Sequence, residues 1–201
     1  IPTRRGAAIL VDAGANVECR PAHLVQFAAM GRVFARVALG APDPRVGLLS
    51  IGEEETKGTE LVREAHRLLK TSPRFIGNVE VRDVYAGEAD VIVCDGFTGN
   101  IALKISEGLI DTLEALLREE LSQTMTARVG ALMSGRAFRN FRRRVDYSEY
   151  GGAPLLGVAG ICIVGHGRSS PKAVRNAVAM AHRFAADGLL DRIRDEIAAT
   201  V

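Results

Sequence analysis

The sequence predicts an α/β protein whose mostly parallel sheet is flanked by helices. Short apolar segments alternate with longer segments in which apolar residues recur at helical spacing, and this alternation is typical of parallel sheets covered on both faces. The apolar segments also run into loops that combine glycine with polar residues. With 201 residues and 47% hydrophobic content the chain can bury a sizeable core, and we expect residues 1–201 to form a single α/β unit.

The first strand and the first helix are predicted within residues 7–40. The segment "AAILVD" at 7–12 is a strand, and after the turn-like "AGANVECR" a helix begins at Pro21 and ends near Gly40. Its apolar residues keep a helical period and are expected to face the core: Leu24, Phe27, Ala28, Gly31, Phe34, Ala35 and Ala38.

Two further buried strands are predicted at 45–50, "RVGLLS", and at 90–95, "DVIVCD". Each strand runs into a glycine-containing loop and then into a helix. The first of these helices is the amphipathic stretch from Glu60 to Leu69, and the second is expected to begin near Asn100. The second helix carries an apolar stripe: Ile101, Ile105, Leu109, Leu113, Leu116, Leu117 and Leu121.

A last strand, "GICIVG" at 160–165, precedes a closing helix that begins at Pro171. This helix is expected to turn one face inward: Val174, Ala177, Val178, Ala181 and Phe184.

The composition argues against several function classes. No window approaches the roughly 20 consecutive apolar residues of a membrane span, so we expect a cytoplasmic protein. A net charge of +2, three tyrosines and no tryptophan argue against nucleic-acid binding. The cysteines Cys19, Cys94 and Cys162 show neither disulfide nor zinc spacing, and the last two are expected to pack as small apolar residues within strands.

Four loops that follow predicted strands are expected to form one anion site. They are "DAGAN" at 12–16, "IGEEETKG" at 51–58, "DGFTGN" at 95–100 and "GHGRSS" at 165–170. Loops at the carboxyl ends of parallel strands meet at one edge of a sheet, where ligands bind. Glycine lets backbone N–H groups approach an anion, and the helix N-terminus behind each loop favours negative charge. These loops therefore indicate an anion or phosphate site.

Signatures of other chemistries are absent from the sequence. No GxGxxG opens a helix, and "GEEETKG" is not a P-loop because its lysine precedes the closing glycine and no GK[ST] follows. There is no GxSxG elbow. Of the four histidines only His166 lies in one of the four loops, whereas His23, His66 and His182 fall on predicted helices and are expected at the surface or its boundary.

Five segments carry a family resemblance: "DAGANVECRPAHLVQFAAMG", "VGLLSIGEEETKG", "FIGNVEVRD", "ADVIVCDGFTGNIALK" and "YGGAPLLGVAGICIVGHG". In this order, and across essentially the whole chain, they resemble the bacterial phosphate acyltransferases called PlsX. The resemblance implies a Rossmann-like layered fold of the isocitrate and isopropylmalate dehydrogenase type. It also implies transfer of a long acyl group from acyl carrier protein to inorganic phosphate, which gives acyl phosphate for phospholipid synthesis. Homodimers that work at the membrane surface, without a cofactor or a metal, are implied as well.

With this reaction in view, two residues stand out as catalytic candidates. Phosphate needs a cation beside the thioester carbonyl, and the carbonyl oxygen needs donors as it becomes an oxyanion. Lys57 is a compact cation suited to phosphate. The amide of Asn100 can donate toward the phosphate or the oxyanion, and Thr98 and Gly99 offer further phosphate-binding donors.

Asn16 completes the predicted phosphate-binding set, and His166 is a third catalytic candidate. The alternative interpretation of Asn100 and Asn16 is helix or turn capping, and a histidine after a strand also serves to hydrogen-bond a neighbouring loop. The glutamates at 53–55 either hold Lys57 in position or form solvated charge at the rim.

The segment 121–145, termed the arginine hairpin, is a second candidate feature. It is expected to project from the sheet as a helix–turn–helix with an apolar tip, and it contains no acidic residue. Such a basic amphipathic element suits an anionic membrane surface or acyl carrier protein. The predicted contact residues are Arg139, Arg142, Arg143, Arg144, Leu132 and Met133. A dimer contact with solvated arginines is the alternative.

The resemblance also implies that the chain is the C-terminal two-thirds of a longer protein, because family members begin with a strand and a Met-Gly-Gly-Asp-like motif that do not occur here. The remaining part is expected to supply further strands and part of the cleft wall. Two other function classes stay open: a non-catalytic module that binds carrier protein or membrane, and a dehydrogenase of the same fold. The dehydrogenase would need clustered aspartates, and the carboxylates here are scattered.

Overall fold

The computed structural model describes residues 1–145, 151–167 and 169–200. The strands in these residues are β1 (Pro2–Thr3), β2 (Gly6–Ala7), β3 (Ile9–Val11), β4 (Val46–Leu49), β5 (Phe75–Val79), β6 (Val91–Val93), β7 (Ala153–Pro154) and β8 (Ile163–Val164). A four-stranded parallel sheet has the order β3-β6-β4-β5. β1 pairs with β2, and β7 with β8, as short antiparallel pairs outside this sheet. The predicted α/β class is confirmed.

The helices in the described residues are α1 (Pro21–Leu39), α2 (Glu60–Leu69), α3 (Val81–Ala86), α4 (Gly96–Gln123), α5 (Met125–Met133), α6 (Gly135–Val145), α7 (Pro171–Ala186) and α8 (Leu189–Thr200). Local signals explain the two helices predicted most closely. Pro21 occupies the first turn of α1, and Gly40 ends that helix in the left-handed conformation with φ 66°. The hydroxyl of Thr59 accepts the N–H of Val62 and caps α2.

The core lies on both faces of the parallel sheet. Side chains alternate along β6, so Val91 and Val93 pack with α1 and α2 in the larger cluster, while Ile92 packs with the smaller one. The larger cluster also includes Phe184 of α7, whose ring packs edge-on against Phe34 of α1. The smaller cluster is covered by α3 and by the first turns of α4.

Three sequence predictions differ from the structure in this part of the chain. The strand predicted at 160–165 is the two-residue β8, which pairs antiparallel with β7 and not with the parallel sheet. Cys162 is exposed, whereas its neighbours Ile161 and Ile163 pack against the larger core cluster. On α7, Phe184 is buried as expected, but Val174 and Val178 are 53% and 66% exposed, because the buried face of the helix passes through Ala173 instead.

The apolar stripe predicted on α4 exists, but it faces outward over much of the helix. Ile105, Leu109 and Leu113 are each more than half exposed, and Gly96 and Gly99 are the residues of α4 that are buried. α4 therefore attaches to the sheet through its first turns and leaves an apolar surface along the rest of its length. Among the described residues, none of the helices combines the length and the apolar character of a membrane span.

Candidate functional site

Three segments follow neighbouring strands at one edge of the sheet, and we call them the edge loops: 12–16 after β3, 51–58 after β4 and, after β6, 95–100, which consists of Asp95 and the first residues of α4. β6 lies between β3 and β4, so its loop lies between the other two. The edge loops end at helices or lead into them, as expected for a ligand site at the carboxyl ends of parallel strands.

Asp12 organises the first edge loop. This aspartate is 6% exposed, and its carboxylate accepts the N–H groups of Gly14, Ala15 and Asn16 at 2.7–2.8 Å. It also accepts the side-chain amide of Asn16 at 2.8 Å. Burial raises the pKa of Asp12, but the hydrogen bonds from Ala15, Asn16 and Gly14 together outweigh burial and hold it below its ordinary value. The loop is thus held by a buried, ionised carboxylate.

The loop after β6 packs directly on the Asp12 loop. The N–H of Gly96 donates to the carbonyl of Asn16 at 2.8 Å. A Cβ on Gly99 would lie 1.9 Å from the carbonyl oxygen of Asp12, so only glycine permits this approach. A Cβ on Gly14 would lie 3.5 Å from the Cβ of Asn100. The segments that carry Asn16, Gly99 and Asn100 therefore lie against each other.

α4 begins at Gly96, four residues earlier than the sequence predicted, and Asp95 is its cap. The carboxylate of Asp95 accepts the N–H of Thr98 at 2.8 Å and its hydroxyl at 2.7 Å. The N–H of Gly99 donates to the carbonyl of Asp95. The capping interpretation of Asn100 is wrong, because Asn100 lies within the helix and its side chain is exposed. Thr98 is exposed too, but its hydroxyl donates to Asp95, whereas the exposed amide of Asn100 is not part of this cap.

Lys57 lies in the edge loop after β4, where its N–H donates to the carbonyl of Glu54 at 3.0 Å and closes a turn. Its side chain is exposed, and no carboxylate of the described residues forms an ion pair with it. Glu55 pairs instead with Lys70 at 2.6 Å. No ion pair of the described residues joins Lys57 to the glutamates at 53–55, and Glu55 is directed toward α2.

His166 follows β8, which lies outside the parallel sheet. Its Nε2 is 3.6 Å from Glu107 Oε1 on α4. Glu107 comes seven residues after Asn100, which is about 10 Å along a helix. The structure therefore brings His166 to α4, at a point two turns beyond Asn100.

Sequence analysis missed a buried polar pair beside the second edge loop. His66 on α2 and Asn78 on β5 are 5% and 6% exposed, although His66 was expected at the surface or its boundary. His66 lies four residues after Val62 and three before Leu69, the spacing of one helix face, and this signal places it inward. Asn78 lies in β5, a strand that sequence analysis did not predict.

Cys94 and possible metal ligands add two limits on the site's chemistry. Cys94 is 2% exposed, and burial raises the pKa of its thiol, so it remains an apolar residue of the core and not a nucleophile. The expectation that it packs as a small apolar residue is confirmed. In residues 1–145 and the later described segments, no three His, Cys, Asp or Glu side chains form a group that would hold a metal ion.

The arginine hairpin comprises the end of α4 followed by α5 and α6, which meet at Ser134. Leu132 and Met133 next to this turn are 82% and 83% exposed. Arg142 on α6 forms an ion pair with Glu114 of α4 at 3.3 Å. Apolar side chains are thus exposed at the turn of the hairpin. One arginine of the hairpin, Arg142, has an acidic partner outside it.

Comparison with known proteins adds a family match and close relatives. A family described as fatty acid synthesis protein matches residues 1–192. Proteins named phosphate acyltransferase are 53% identical over 200 residues in Acidobacterium capsulatum and 50% identical over 197 residues in Geotalea uraniireducens. These matches cover 99% and 98% of this chain, but 59% and 57% of the relatives. The chain therefore spans less than two thirds of the length of these relatives.

Proposed function

This chain belongs to the fatty acid synthesis protein family, and we propose that the complete protein is a phosphate acyltransferase. It moves a fatty acyl group from acyl carrier protein to inorganic phosphate and so gives acyl phosphate for phospholipid synthesis. One observation carries this proposal: at the edge of a parallel sheet, Asn100 in the first turns of α4 and Lys57, a cation without an ion pair among the described residues, both lie exposed after neighbouring strands. The names of the relatives support the same reaction.

In this reaction a phosphate oxygen attacks the carbonyl carbon of the thioester. A C–O bond forms, the C–S bond breaks, and the carrier's thiolate leaves with the electron pair. Phosphate dianion is itself the nucleophile, so the site needs no strong general base. Its tasks are to hold the anion beside the carbonyl and to stabilise the oxyanion.

Lys57 is proposed to hold the phosphate. Because no carboxylate in the part of the chain that the structure describes neutralises it, its full charge is available to a dianion. Asn100 is proposed to donate its amide to the phosphate or to the developing oxyanion. Both side chains are exposed, as substrate contact requires. Asn100 lies beside the Asp12 loop, and Lys57 lies in the edge loop after β4.

The remaining predicted site residues have supporting roles in this proposal. The phosphate-binding surface is shaped by Asn16, Thr98 and Gly99. Asn16 is hydrogen-bonded to Asp12, and Thr98 is hydrogen-bonded to Asp95. Gly99 permits the close approach of α4 to the Asp12 carbonyl. His166 is also proposed as a catalytic residue. In the structure it faces Glu107 on α4, two turns beyond Asn100.

We also propose that the complete protein has the layered fold of the isocitrate and isopropylmalate dehydrogenase type and works as a homodimer. Helices on both faces of a parallel sheet support the first proposal, and the exposed stripe of α4 supports the second.

The arginine hairpin is proposed to contact acyl carrier protein or an anionic membrane surface at the cytoplasmic side. The exposed tip and the arginines Arg139, Arg143 and Arg144 support this contact.

The proposed role of Lys57 is tested by Lys57→Ala in the complete protein, with Lys70→Ala as a matched control from the same region. Loss of a cation that contacts the transition state costs about 3 kcal/mol, so kcat/KM for phosphate should fall roughly a hundredfold. Lys70 pairs with Glu55 and should be replaceable with little effect. Acyl phosphate formation at varied phosphate concentration measures both. Equal phosphate kinetics for the two variants would remove Lys57 from the site.

A further inference from the structure

The buried pair His66 and Asn78 connects the core to the edge loop that carries Lys57. His66 Nδ1 lies 2.8 Å from Asn78 Oδ1, and the imidazole packs edge-on against Phe75 with ring centroids 5.1 Å apart. Both polar side chains are almost completely buried, at 5% and 6% exposure. A buried amide and imidazole are retained at a cost in desolvation unless each is hydrogen-bonded.

The hydrogen bonds assign the orientation of both groups. Asn78 Nδ2 donates to the carbonyl oxygen of Glu54 at 2.9 Å, so the other end of the amide, Oδ1, faces His66. His66 Nδ1 must then carry the hydrogen and act as the donor. Nδ1 keeps its hydrogen in this tautomer and in the protonated imidazole, so the bond does not depend on the charge of the ring. His66 Nε2 faces Glu55 at 3.7 Å, and Glu55 in turn pairs with Lys70.

The carbonyl of Glu54 is the point where this chain of hydrogen bonds reaches Lys57. It accepts Asn78 Nδ2 from the core side and the N–H of Lys57 from within the loop. The turn at 54–57 is therefore fixed from below by a buried amide. The side chain of Lys57 has no carboxylate partner among the described residues, so the backbone of this turn is what sets its position.

We propose that His66 and Asn78 are positioning residues for Lys57. Neither touches substrate. His66 orients the Asn78 amide, Asn78 holds the carbonyl of Glu54, and the turn closed on that carbonyl presents the ammonium group to phosphate. This inference rests on the proposed function of Lys57 as the phosphate-binding cation. Since misplacing a substrate-binding group by about 1 Å costs up to a hundredfold in rate, a loose turn has a measurable kinetic cost.

Two substitutions break the chain at different links, and one preserves it. Asn78→Asp keeps the shape and the bond to His66 but places a carboxylate oxygen against the carbonyl of Glu54. His66→Leu fills the space but removes the donor. His66→Asn leaves a smaller side chain but returns an N–H close to the position of Nδ1. Glu55→Gln is the control, because it removes the ion pairs of Glu55 and leaves both hydrogen bonds to the carbonyl of Glu54 in place.

Phosphate kinetics of the complete protein give the first test. We expect Asn78→Asp and His66→Leu to raise the KM for phosphate roughly tenfold while the KM for the acyl donor stays unchanged. His66→Asn and Glu55→Gln should stay within about twofold of the wild type. A merely structural role predicts the reverse order for the His66 variants, because asparagine leaves a cavity that leucine fills.

A double-mutant cycle and hydrogen exchange complete the test. Added to Lys57→Ala, His66→Leu should raise the phosphate KM no further, because both act through one ammonium group. Amide exchange in 51–58 should be faster in His66→Leu and Asn78→Asp than in the wild type or His66→Asn. Unchanged exchange, or an effect on KM that adds to that of Lys57→Ala, would overturn the inference. If Lys57→Ala itself leaves phosphate kinetics unchanged while exchange responds as expected, the proposed function of Lys57 fails and the hold on the turn stands.

Discussion

Asp12 shows how one side chain can order an exposed loop. Residues 14–16 are exposed, yet three of their N–H groups point inward to a carboxylate that is 6% exposed. Burying a carboxylate is unfavourable unless hydrogen bonds replace its water shell, and the Asn16 amide adds a fourth donor. The charged form of Asp12 is therefore part of the folded site.

Asp12→Asn should destabilise the protein by about 2 kcal/mol at pH 7, because an amide cannot accept all of these hydrogen bonds. The pKa of Asp12 is lower in the folded protein than its ordinary value of 3.8. An aspartate of this kind stabilises the fold above its unfolded pKa, and this stabilisation is lost as the pH falls through the folded pKa. The difference between wild type and variant should therefore shrink below pH 3.8. Urea unfolding at several pH values measures it, and a difference independent of pH would contradict this role.

Part of the candidate site can be predicted from the sequence. Asn16, Lys57 and Asn100 were identified because polar residues that follow strands share one sheet edge. The supports beneath them were not identified. Asp12 closes a predicted strand and looks like an ordinary loop residue, and the pairing of His66 with Asn78 depends on how α2 packs beside β5. Such contacts are set by tertiary packing and leave little local signal.

The start of α4 packs directly on the Asp12 loop. Gly99 allows the helix to approach the Asp12 carbonyl so closely that a Cβ would lie 1.9 Å from that oxygen. Gly108, on the same helix, is exposed and would meet nothing within 4 Å. The two glycines share an element and differ in what surrounds them, which makes them a matched pair.

Gly99→Ala should destabilise the protein by more than about 2 kcal/mol, because the backbone of either α4 or the Asp12 loop must move. Gly108→Ala should instead stabilise it by about 0.5–1 kcal/mol through helix propensity. Thermal and urea unfolding of both variants measure the two effects. If both alanine variants gained stability, the close approach of α4 to Asp12 would be wrong.

Helix ends with clear local signals were predictable, whereas those set by packing were not. Pro21 and Gly40 marked α1 because their backbone preferences act locally. α4 was predicted to start too late, because two glycines in its first turn weaken the helical pattern and are present for close packing. β8 was assigned to the parallel sheet because a short apolar run does not reveal its strand partner.

At the scale of the whole molecule, an exposed apolar stripe runs along α4 from Ile101, next to Asn100, to Leu117. The exposed stripe of α4 leads toward α5 and α6, where Leu132 and Met133 are the most exposed apolar side chains of the arginine hairpin. Glu114 pairs with Arg142, so the uncompensated positive charge of the hairpin is smaller than its sequence implies. Arg139 and Arg143, exposed on α6, are better probes of that charge.

A membrane contact and a carrier-protein contact make different demands on this hairpin. Both depend on its arginines, and each arginine near an anionic surface contributes about 1 kcal/mol. Only a membrane contact also buries the apolar tip, at about 1.5–3 kcal/mol for each side chain. Salt weakens the electrostatic part and leaves the apolar part largely intact.

The double substitution Leu132→Glu and Met133→Glu should therefore lower the affinity of the complete protein for anionic phosphatidylglycerol vesicles by at least about a hundredfold, as measured by sedimentation. It should leave the affinity for carrier protein within about twofold. Arg139→Glu combined with Arg143→Glu should weaken both contacts. Zwitterionic vesicles control for non-specific adsorption, and light scattering shows whether the variants keep the oligomeric state of the wild type. If the tip variant still binds vesicles but changes its oligomeric state, the hairpin is a contact between subunits. If it binds both vesicles and carrier protein unchanged, the apolar tip has no part in either contact.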